Sequence, residues 1–345
     1  MSVIRGLPRV FRDGKAILGE SLVWNADARE LMWCDISAGL LHRSPIDGPD
    51  DGSEDVVTEF PPPLASFGFA NGGLANGGLA NGGLANGGFA HGGLANGGSI
   101  VASLGDRVII RHSDGTIETL AEIDHAHGGL RLNEGKPDPF GNWVTGSMDL
   151  TTGDPDGAYY RIAPDGTQRV LRGGFGVANG LEFAPGAPDS ADDGAPDPAP
   201  NSATTIPDTV RMYFTDTAAA TIYVGGYTSA GDLTDVKPFH SGEAHDGLVI
   251  DVDGCLWSGI YGGAKVVRYS PQGNELETIE LPVANVTSVT FGGDNLATLF
   301  VASARENLTE EQLREHPLSG AVFAIETATH GFRPRTFGEK TQNLD

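Results

Sequence analysis

The chain has 345 residues and a formal net charge of -24 at pH 7, with 50 glycines, 21 prolines and two cysteines. A surface this acidic repels nucleic-acid phosphates and anionic lipid headgroups, so the composition argues against nucleic-acid and membrane partners. Turn-forming residues are abundant and helical spacing of apolar residues is scarce, which predicts an all-β fold.

The N-terminal sequence MSVIRGLPRVFRDGKAILGE lacks the apolar core and the small-residue cleavage site of a secretory signal. No run of the chain approaches the roughly 18 apolar residues that a membrane span needs. Cys34 and Cys255 lie in separate apolar runs, and we expect buried thiols rather than a disulfide. Together these features predict a soluble, cytoplasmic protein.

A repeat becomes visible when short runs rich in Trp, Tyr and Val are aligned. The anchor residues of these runs are Trp33, Val101, Trp143, Tyr213, Trp257 and Leu299. Successive anchors are 68, 42, 70, 44 and 42 residues apart, and each long gap contains one low-complexity segment. Without those segments the period is about 43 residues, which is typical of propeller blades with four short strands each. We therefore predict a six-bladed β-propeller, with four antiparallel strands per blade, that occupies residues 1–345 as one domain.

The two low-complexity segments are predicted to be insertions. The first, at about 69–98, is an array of pentads such as LANGG, and the second, at about 184–208, is rich in Pro and Asp. Neither segment carries enough apolar surface to order a core, and we expect the acidic second one to be a disordered loop. Both fall between the predicted first and second strands of their blades, so both should leave the same face of the disc.

Polar residues stand at the predicted start of the innermost strand of every blade. In chain order they are Glu20, Ser66, Arg131 with Asn133, Asn179, Asp246, and Thr287 with Ser288. Because inner strands converge on the axis of a propeller, these side chains should surround a central channel. Carboxylate, amide and hydroxyl oxygens are the donors that a hard divalent cation selects. Glu20, Asn179 and Asp246 are the predicted metal ligands, with water or substrate completing an open site.

The same residues lie in sequence words that resemble the regucalcin/gluconolactonase/luciferin-regenerating enzyme family. The matching words are LGESLVW, RLNEGKPDPFGNWVTGSM, ANGLEF, MYFTDT, HDGLVIDVDGCLWSGIYGGAKVVRY and VTSVTFGGDNLATLFVASAR. The resemblance implies a metal-binding role for Glu20, Asn179 and Asp246 and substrate contacts for Arg131 and Asn133. It also implies the reaction, which is gluconolactonase-like hydrolysis of an aldonolactone to the aldonic acid.

Metal-assisted hydrolysis is the expected mechanism, because the chain shows neither a Ser-His-Asp order nor a nucleophile elbow. In this mechanism Asp246 is a metal ligand and also the base that accepts the proton of the attacking water. Arg131 and Asn133 hold ring hydroxyls and orient the ester. Where sugar-specific relatives can carry an acidic substrate contact, this chain has Asp149 and Thr151 nearby.

The single divalent cation can be Ca, Zn, Mn, Mg or Fe(II), since oxygen-only sites accept each of them. The predicted partner is a small-molecule lactone, and the predicted state is a monomer or a weak homo-oligomer. One alternative function is another metal-dependent activity, as an esterase or phosphotriesterase of the paraoxonase kind. The other alternative is a non-enzymatic calcium-binding or interaction propeller.

A short helix is expected within residues 306–317, in the connection between the second and third strands of the sixth blade. It can serve as a lid or simply be solvated.

Overall fold

The computed structural model describes residues 2–49, 52–71, 98–184 and 207–340. Within these ranges the regular structure consists of 25 strands and one short helix. The strands form six small sheets, which we call blades I to VI in the order in which their inner strands occur. The prediction of an all-β propeller with six blades is confirmed.

Each blade is an antiparallel meander whose first strand is innermost. Strand β1 (Arg9–Arg12) precedes the first meander and belongs to the last blade. Blades I to III contain β2 (Gly19–Asn25), β3 (Glu30–Asp35), β4 (Leu40–Pro45) and β5 (Val56–Glu59); β6 (Leu64–Ala70), β7 (Ser99–Leu104), β8 (Arg107–Arg111) and β9 (Ile117–Glu122); and β10 (Leu130–Pro137), β11 (Trp143–Asp149), β12 (Gly157–Ile162) and β13 (Gln168–Phe175). Blades IV to VI contain β14 (Ala178–Phe183), β15 (Thr209–Asp216), β16 (Thr221–Thr228) and β17 (Leu233–Ser241); β18 (His245–Ile250), β19 (Leu256–Ile260), β20 (Lys265–Tyr269) and β21 (Glu275–Glu280); and β22 (Asn285–Gly292), β23 (Thr298–Ala304) and β24 (Val322–Glu326).

The inner strands form a closed ring. β2, β6, β10, β14, β18 and β22 each pack beside the inner strands of the two neighbouring blades, and β22 packs beside β2. All six inner strands run in the same direction along the central channel. Their starts therefore lie at one end of the channel, which we call the site face, and their ends lie at the far face.

The ring is locked by the N-terminal strand, which the sequence pattern did not reveal. β1 pairs antiparallel with β24, with Arg9 opposite Ala324 and Arg12 opposite Val322, and so becomes the outer strand of blade VI. Phe11 is buried against Phe300 of β23, with ring centroids 5.1 Å apart. Burying one such ring stabilises the fold by roughly 1.5–3 kcal/mol. The first and last parts of the propeller are thus held in one sheet.

The six anchor residues of the sequence repeat all lie on the second strands of their blades, on β3, β7, β11, β15, β19 and β23. Trp33, Trp143 and Trp257 are at most 1% exposed and sit in the apolar layers between adjacent blades. The repeat is therefore a packing pattern, because the second strand of each blade needs an apolar side chain that fills the space between this blade and the adjacent one.

Blade II departs from the predicted four antiparallel strands. A fifth strand, β25 (Thr336–Phe337), pairs parallel with the end of β6. The C-terminal segment 328–340, which contains β25, crosses the far face. It bonds to Val252 in blade V, to Leu296 in blade VI and to Gly141 in blade III. This segment covers the far end of the central channel, which no strand repeat in the sequence could predict.

The two insertions lie largely outside the described residues, but their flanking strands are described. The first connects β6 to β7 and the second connects β14 to β15, so both join a first strand to a second strand at the far face.

The predicted helix is α1 (Glu310–Glu315), between β23 and β24. Thr309 and Gln312 form a capping box at its start, and none of its residues is buried. In the described part of the chain no helix has the length and apolar character to cross a membrane.

Candidate active site

A bulge interrupts every inner strand at the level of the predicted polar ring. In blades III to VI the register with the second strand shifts across the polar residues, between Leu132 and Gly135, Ala178 and Leu181, His245 and Leu248, and Val286 and Val289. Blades I and II show the same shift directly after Glu20 and directly before Ser66. An extra residue breaks the alternation of side chains along a strand, so the bulges turn the polar residues toward the channel axis. The site is built from the same local irregularity, repeated six times.

The predicted metal ligands Glu20, Asn179 and Asp246 come together at the site face. All three are between 2% and 7% exposed. Asn179 lies close enough to Asp246 to lower the pKa of its carboxyl, and its Nδ2 donates to Thr217 Oγ1 at 3.2 Å. Thr217 in turn donates to the carbonyl oxygen of His245 at 2.7 Å. This chain of contacts fixes the inner strands of blades IV and V against each other beside the ligands.

Close strand approach explains the glycine that follows two of the ligands. A Cβ on Gly180 would overlap the carbonyl oxygen of Asp246, and one on Gly247 would lie 2.8 Å from the Cα of Ser288. A side chain at either position would push neighbouring inner strands apart. The Asn-Gly and Asp-Gly words therefore mark positions where the backbones of neighbouring inner strands pack directly against each other beside the ligands.

Burial makes this end of the channel a costly place for negative charge. It raises the pKa of Glu20 well above its ordinary value, and the nearby charges of Asp246 and Glu134 raise it further. Burial and Glu134 likewise raise the pKa of Asp246, while Arg131 and the Asn179 amide oppose the shift. Burial raises the pKa of Glu134 to about 7. Three carboxyl groups so close together need a compensating cation.

The arrangement fits a divalent metal. The Oδ1 atom of Asp246 is buried and has no hydrogen-bond partner in the described part of the chain, so an acceptor stands free at the centre of the site. Two carboxylates and one amide provide only oxygen donors, as hard cations require. In the residues that the structure describes, no three His, Cys, Asp or Glu side chains form a metal-binding cluster. The fit therefore depends on the amide of Asn179 together with Glu20 and Asp246.

Arg131 and Asn133 lie beside these ligands, at the start of β10. Arg131 is 8% exposed, and its NH1 donates to the carbonyl oxygen of Leu132 at 2.9 Å and to Asn133 Oδ1 at 2.8 Å. Asn133 Nδ2 donates to the carbonyl oxygen of Ala178 at 3.2 Å. The Arg131 guanidinium is thus held by neutral acceptors, and carboxylates surround it at longer range. Burial lowers its pKa, and the charges of Glu306, Glu20 and Asp246 oppose that shift.

The sequence did not identify Glu306 and Tyr261 as site residues. Glu306 follows β23, its Oε1 accepts from Ser37 Oγ at 3.2 Å, and its carbonyl oxygen accepts from Asn285 Nδ2 at 2.9 Å. Among the charged groups around Arg131, Glu306 has the largest effect on its pKa. The Tyr261 hydroxyl donates to the carbonyl oxygen of Glu306 at 3.5 Å, which places it near the same opening, and burial raises its pKa. Neither residue stands at the start of an inner strand, the signal that revealed the others.

Two further residues near the site have structural roles. The Asp149 carboxylate accepts hydrogen bonds from the side chains of Thr152 and Thr151, which lower its pKa, so it closes its own turn and is not free for substrate. His245 is fully buried, and its Nδ1 lies 3.1 Å from Ser258 Oγ. Burial lowers the pKa of His245 to about 3, so it is a neutral packing residue behind Asp246.

The two cysteines are free and buried, as predicted. Cys34 lies closest to the site, because its Sγ donates to the carbonyl oxygen of Glu20 at 3.5 Å. Burial raises the pKa of the Cys34 thiol well above its ordinary value. The group therefore stays protonated and supports the backbone at Glu20, since a metal-bound sulfur would have to be a thiolate.

Comparison with known proteins gives a consistent picture. The profile of the SMP-30/gluconolactonase/LRE-like region matches residues 18–188 and 198–305. A 6-deoxy-6-sulfogluconolactonase from Pseudomonas putida is 30% identical over 322 residues, which are 92% of this chain and 93% of that protein. An L-arabinolactonase from Azospirillum brasilense is 28% identical over 342 residues and covers 96% of both chains.

A similarity to solved structures supports the fold. The crystal structure of a calcium-binding protein, regucalcin, from Agrobacterium tumefaciens superimposes with a TM-score of 0.75 at 20% identity, over 97% of both chains. A luciferin-regenerating enzyme superimposes with a TM-score of 0.73 at 22% identity, over 96% of this chain and all of the other. At these identities the superpositions establish the shared propeller.

Proposed function

Because this chain belongs to the SMP-30/gluconolactonase/LRE-like family, we propose that it hydrolyses the ester bond of a sugar lactone and releases the aldonic acid, with one bound divalent metal. The observation that carries the proposal is the convergence of two buried carboxylates, one amide and one buried guanidinium at the same end of a propeller channel. The relatives named as lactonases support the reaction class. The chain is an enzyme of the lactonase kind.

Glu20, Asn179 and Asp246 are the proposed holders of the metal. A divalent cation bound there supplies Lewis acidity for the negative charge that develops on the carbonyl oxygen of the lactone. The all-oxygen donor set is compatible with Ca, Mg, Mn, Zn or Fe(II). The positive charge of the metal also offsets the repulsion between Glu20, Asp246 and Glu134, so metal binding should stabilise the fold as well as enable the reaction.

Asp246 is also the proposed general base. Its Oδ1 atom has no partner in the described residues and can accept the proton of a water that attacks the carbonyl carbon. The close backbone packing at Gly180 and Gly247 fixes the strand segment that carries this carboxylate. Preorganisation of this kind places the base correctly before the substrate binds.

Arg131 and Glu306 are the proposed substrate contacts at the opening. The Arg131 guanidinium keeps further N–H groups that can donate to ring oxygens, and its contact with Asn133 Oδ1 fixes its orientation. Asn133 in turn offers the second hydrogen of Nδ2 and the remaining lone pair of Oδ1 to the substrate. Arg131 forms no ion pair with Glu306, whose charge nonetheless opposes the lowering of the Arg131 pKa by burial, so a cationic donor and an anionic acceptor are both near the opening. A neutral polyol can contact both groups better than an aliphatic lactone does, because its hydroxyls both donate and accept.

The decisive experiment is hydrolysis of a panel of aldonolactones by chelator-treated protein, before and after addition of single divalent metals, with the spontaneous rate subtracted. We expect turnover of at least one lactone that disappears on chelation and returns with metal. The same samples should be offered an aryl ester and a phosphotriester. Turnover of those compounds alone would favour an esterase or phosphotriesterase, and no turnover with any metal would favour a calcium-binding or interaction propeller.

A further inference from the structure

A cavity lies in the central channel beyond the metal-ligand level. Its walls are formed by the inner strands one to four residues after the polar ring, including Ser21–Val23 after Glu20 and Glu134–Pro137 after Asn133. At about 3.3 Å per residue these walls reach up to roughly 13 Å further along the strands toward the far face. The cavity encloses about 700 Å³, including space that is open to solvent. We call it the far cavity.

The C-terminal segment closes the far cavity on the far face. Phe332, Arg333, Pro334 and Arg335 line it, opposite the inner strands. Arg335 anchors this lining, since its NH2 donates to the carbonyl oxygen of Phe183 at 2.8 Å and its NH1 to Glu182 Oε1 at 3.2 Å. The lining is therefore held against blade IV by specific contacts.

Cations outnumber carboxylates in the far cavity. Lys136, Arg333 and Arg335 face two acidic side chains, Glu134 and Glu182. Glu182 accepts from Lys136 Nζ at 3.0 Å as well as from Arg335, so one carboxylate is shared by two cations. This local excess of positive charge stands out in a chain with a net charge of -24.

Two arginines retain unused donors. The Arg335 side chain is 10% exposed, and its Nε is buried without an acceptor in the part of the chain that the structure describes. A buried N–H without a partner costs roughly 1–3 kcal/mol, but this Nε is enclosed by protein atoms, so Arg335 contributes its charge rather than this donor. Arg333 is exposed and forms no hydrogen bond or ion pair with other described residues. Arg333 borders the cavity and is available to a ligand.

The apolar walls indicate what else such a ligand must carry. Phe67, Phe69 and Phe332 line the cavity together with Val249 and Ile250. Aromatic and aliphatic walls with a few convergent polar groups are typical of sites for small organic molecules. An inorganic anion would satisfy the arginines but would leave these walls in contact with water.

We propose that the far cavity binds a small organic carboxylate with an aromatic or apolar body. The carboxylate accepts from the Arg333 guanidinium, whose fork geometry suits two oxygens, and the positive charge of Arg335 lies beside it. The body of the ligand packs against the phenylalanine rings. This site is distinct from the metal-ligand level, because its donors belong to the C-terminal segment rather than to the polar ring.

Isothermal titration of the full-length protein with benzoate tests this site, with benzyl alcohol as the uncharged counterpart. We expect saturable binding of one benzoate, no saturable binding of benzyl alcohol, and the same benzoate affinity in chelator-treated and metal-loaded protein. Arg333→Gln should weaken benzoate binding at least tenfold, whereas Arg333→Lys should weaken it by a smaller factor. Arg172→Gln, at an exposed position on β13, is the matched control and should bind as the unmodified protein does.

Arg335→Lys provides a second variant that keeps the charge beside Glu182 but replaces the two contacts with Glu182 and the Phe183 carbonyl by a single ammonium group, and it should also weaken binding. Lactone turnover should persist in the Arg333 variants, which shows that they are folded. The proposal is overturned if benzoate does not bind, if Arg333→Gln and Arg172→Gln bind it equally well, or if binding requires the metal. Equal competition by inorganic phosphate would also overturn it, because the apolar walls would then contribute nothing.

Discussion

Glu134 offers a direct test of the electrostatics of the channel. Its pKa of about 7 in the folded protein lies about 2.5 units above the ordinary value of 4.5. The folded state therefore binds more protons than the unfolded chain between these two values, and the free energy of unfolding falls as pH rises through this window. At about 1.4 kcal/mol per unit, the ionised Glu134 destabilises the metal-free protein by roughly 3 kcal/mol above pH 7. Glu134→Gln should remove this penalty.

Urea unfolding of chelator-treated protein at pH 5, 6, 7 and 8 measures the effect. The variant should gain stability over the unmodified protein as pH rises, by roughly 2–3 kcal/mol between pH 5 and pH 8. Removing the Glu134 charge also relieves Glu20 and Asp246, which adds to the gain. The free energy of unfolding of Glu122→Gln, at an exposed position, should change with pH as that of the unmodified protein does. If the free energy of unfolding of Glu134→Gln follows the same pH dependence as well, Glu134 does not titrate with a raised pKa and the reasoning fails.

Three further changes follow from the site and from the closure of the ring. Asp246→Asn should lower kcat by at least about 100-fold, as expected for loss of a general base, and should weaken metal affinity in calorimetry, whereas Asp165→Asn in an exposed turn should change neither. Glu306→Gln should raise KM for a hydroxylated lactone several-fold with little change for an aliphatic one, and an equal effect on both lactones would remove Glu306 from substrate recognition. Phe11→Ala should cost about 3–5 kcal/mol of stability, measured by chemical unfolding, because it empties the contact with Phe300 that holds β1 in blade VI.

The repeat was readable from the sequence because packing between blades imposes it. Trp33, Trp143 and Trp257 occupy equivalent buried positions, and the hairpin turns between strands carry Gly and Asp at regular distances. Such a pattern survives two long insertions, since both leave the blade between the same two strands. The number of blades and the four-stranded meander of blades I, III, IV and V were therefore predictable from the spacing alone.

Closure of the ring was not predictable in the same way. β1 contains four residues, and β25 contains two. Segments this short carry no periodicity, and their partners lie hundreds of residues away in the chain. Their placement depends on geometry that exists only once the ring has formed, such as the exposed edge of β24 and the open far end of the channel.

At the site, the sequence identified the residues on inner strands and missed those on connections. Glu20, Asn179 and Asp246 could be proposed because the start of an inner strand is a defined position in each repeat. Glu306 and Tyr261 lie on connections between second and third strands, where position in the repeat does not determine distance from the axis. The bulges were also invisible, because a single extra residue leaves the hydrophobic pattern of a short strand unchanged.

The two ends of the channel differ in charge, and the proposed reaction gives that difference a consequence. The site face gathers Glu20, Asp246 and Glu306, while the far cavity gathers Lys136, Arg333 and Arg335. A lactone is neutral and its hydrolysis product is an anion, so an acidic surface acts on the product and not on the substrate. The field of a chain with net charge -24 therefore favours departure of the aldonate without hindering entry of the lactone. The acidic surface of the chain as a whole, rather than the metal-binding carboxylates, thus assists release of the product after the reaction.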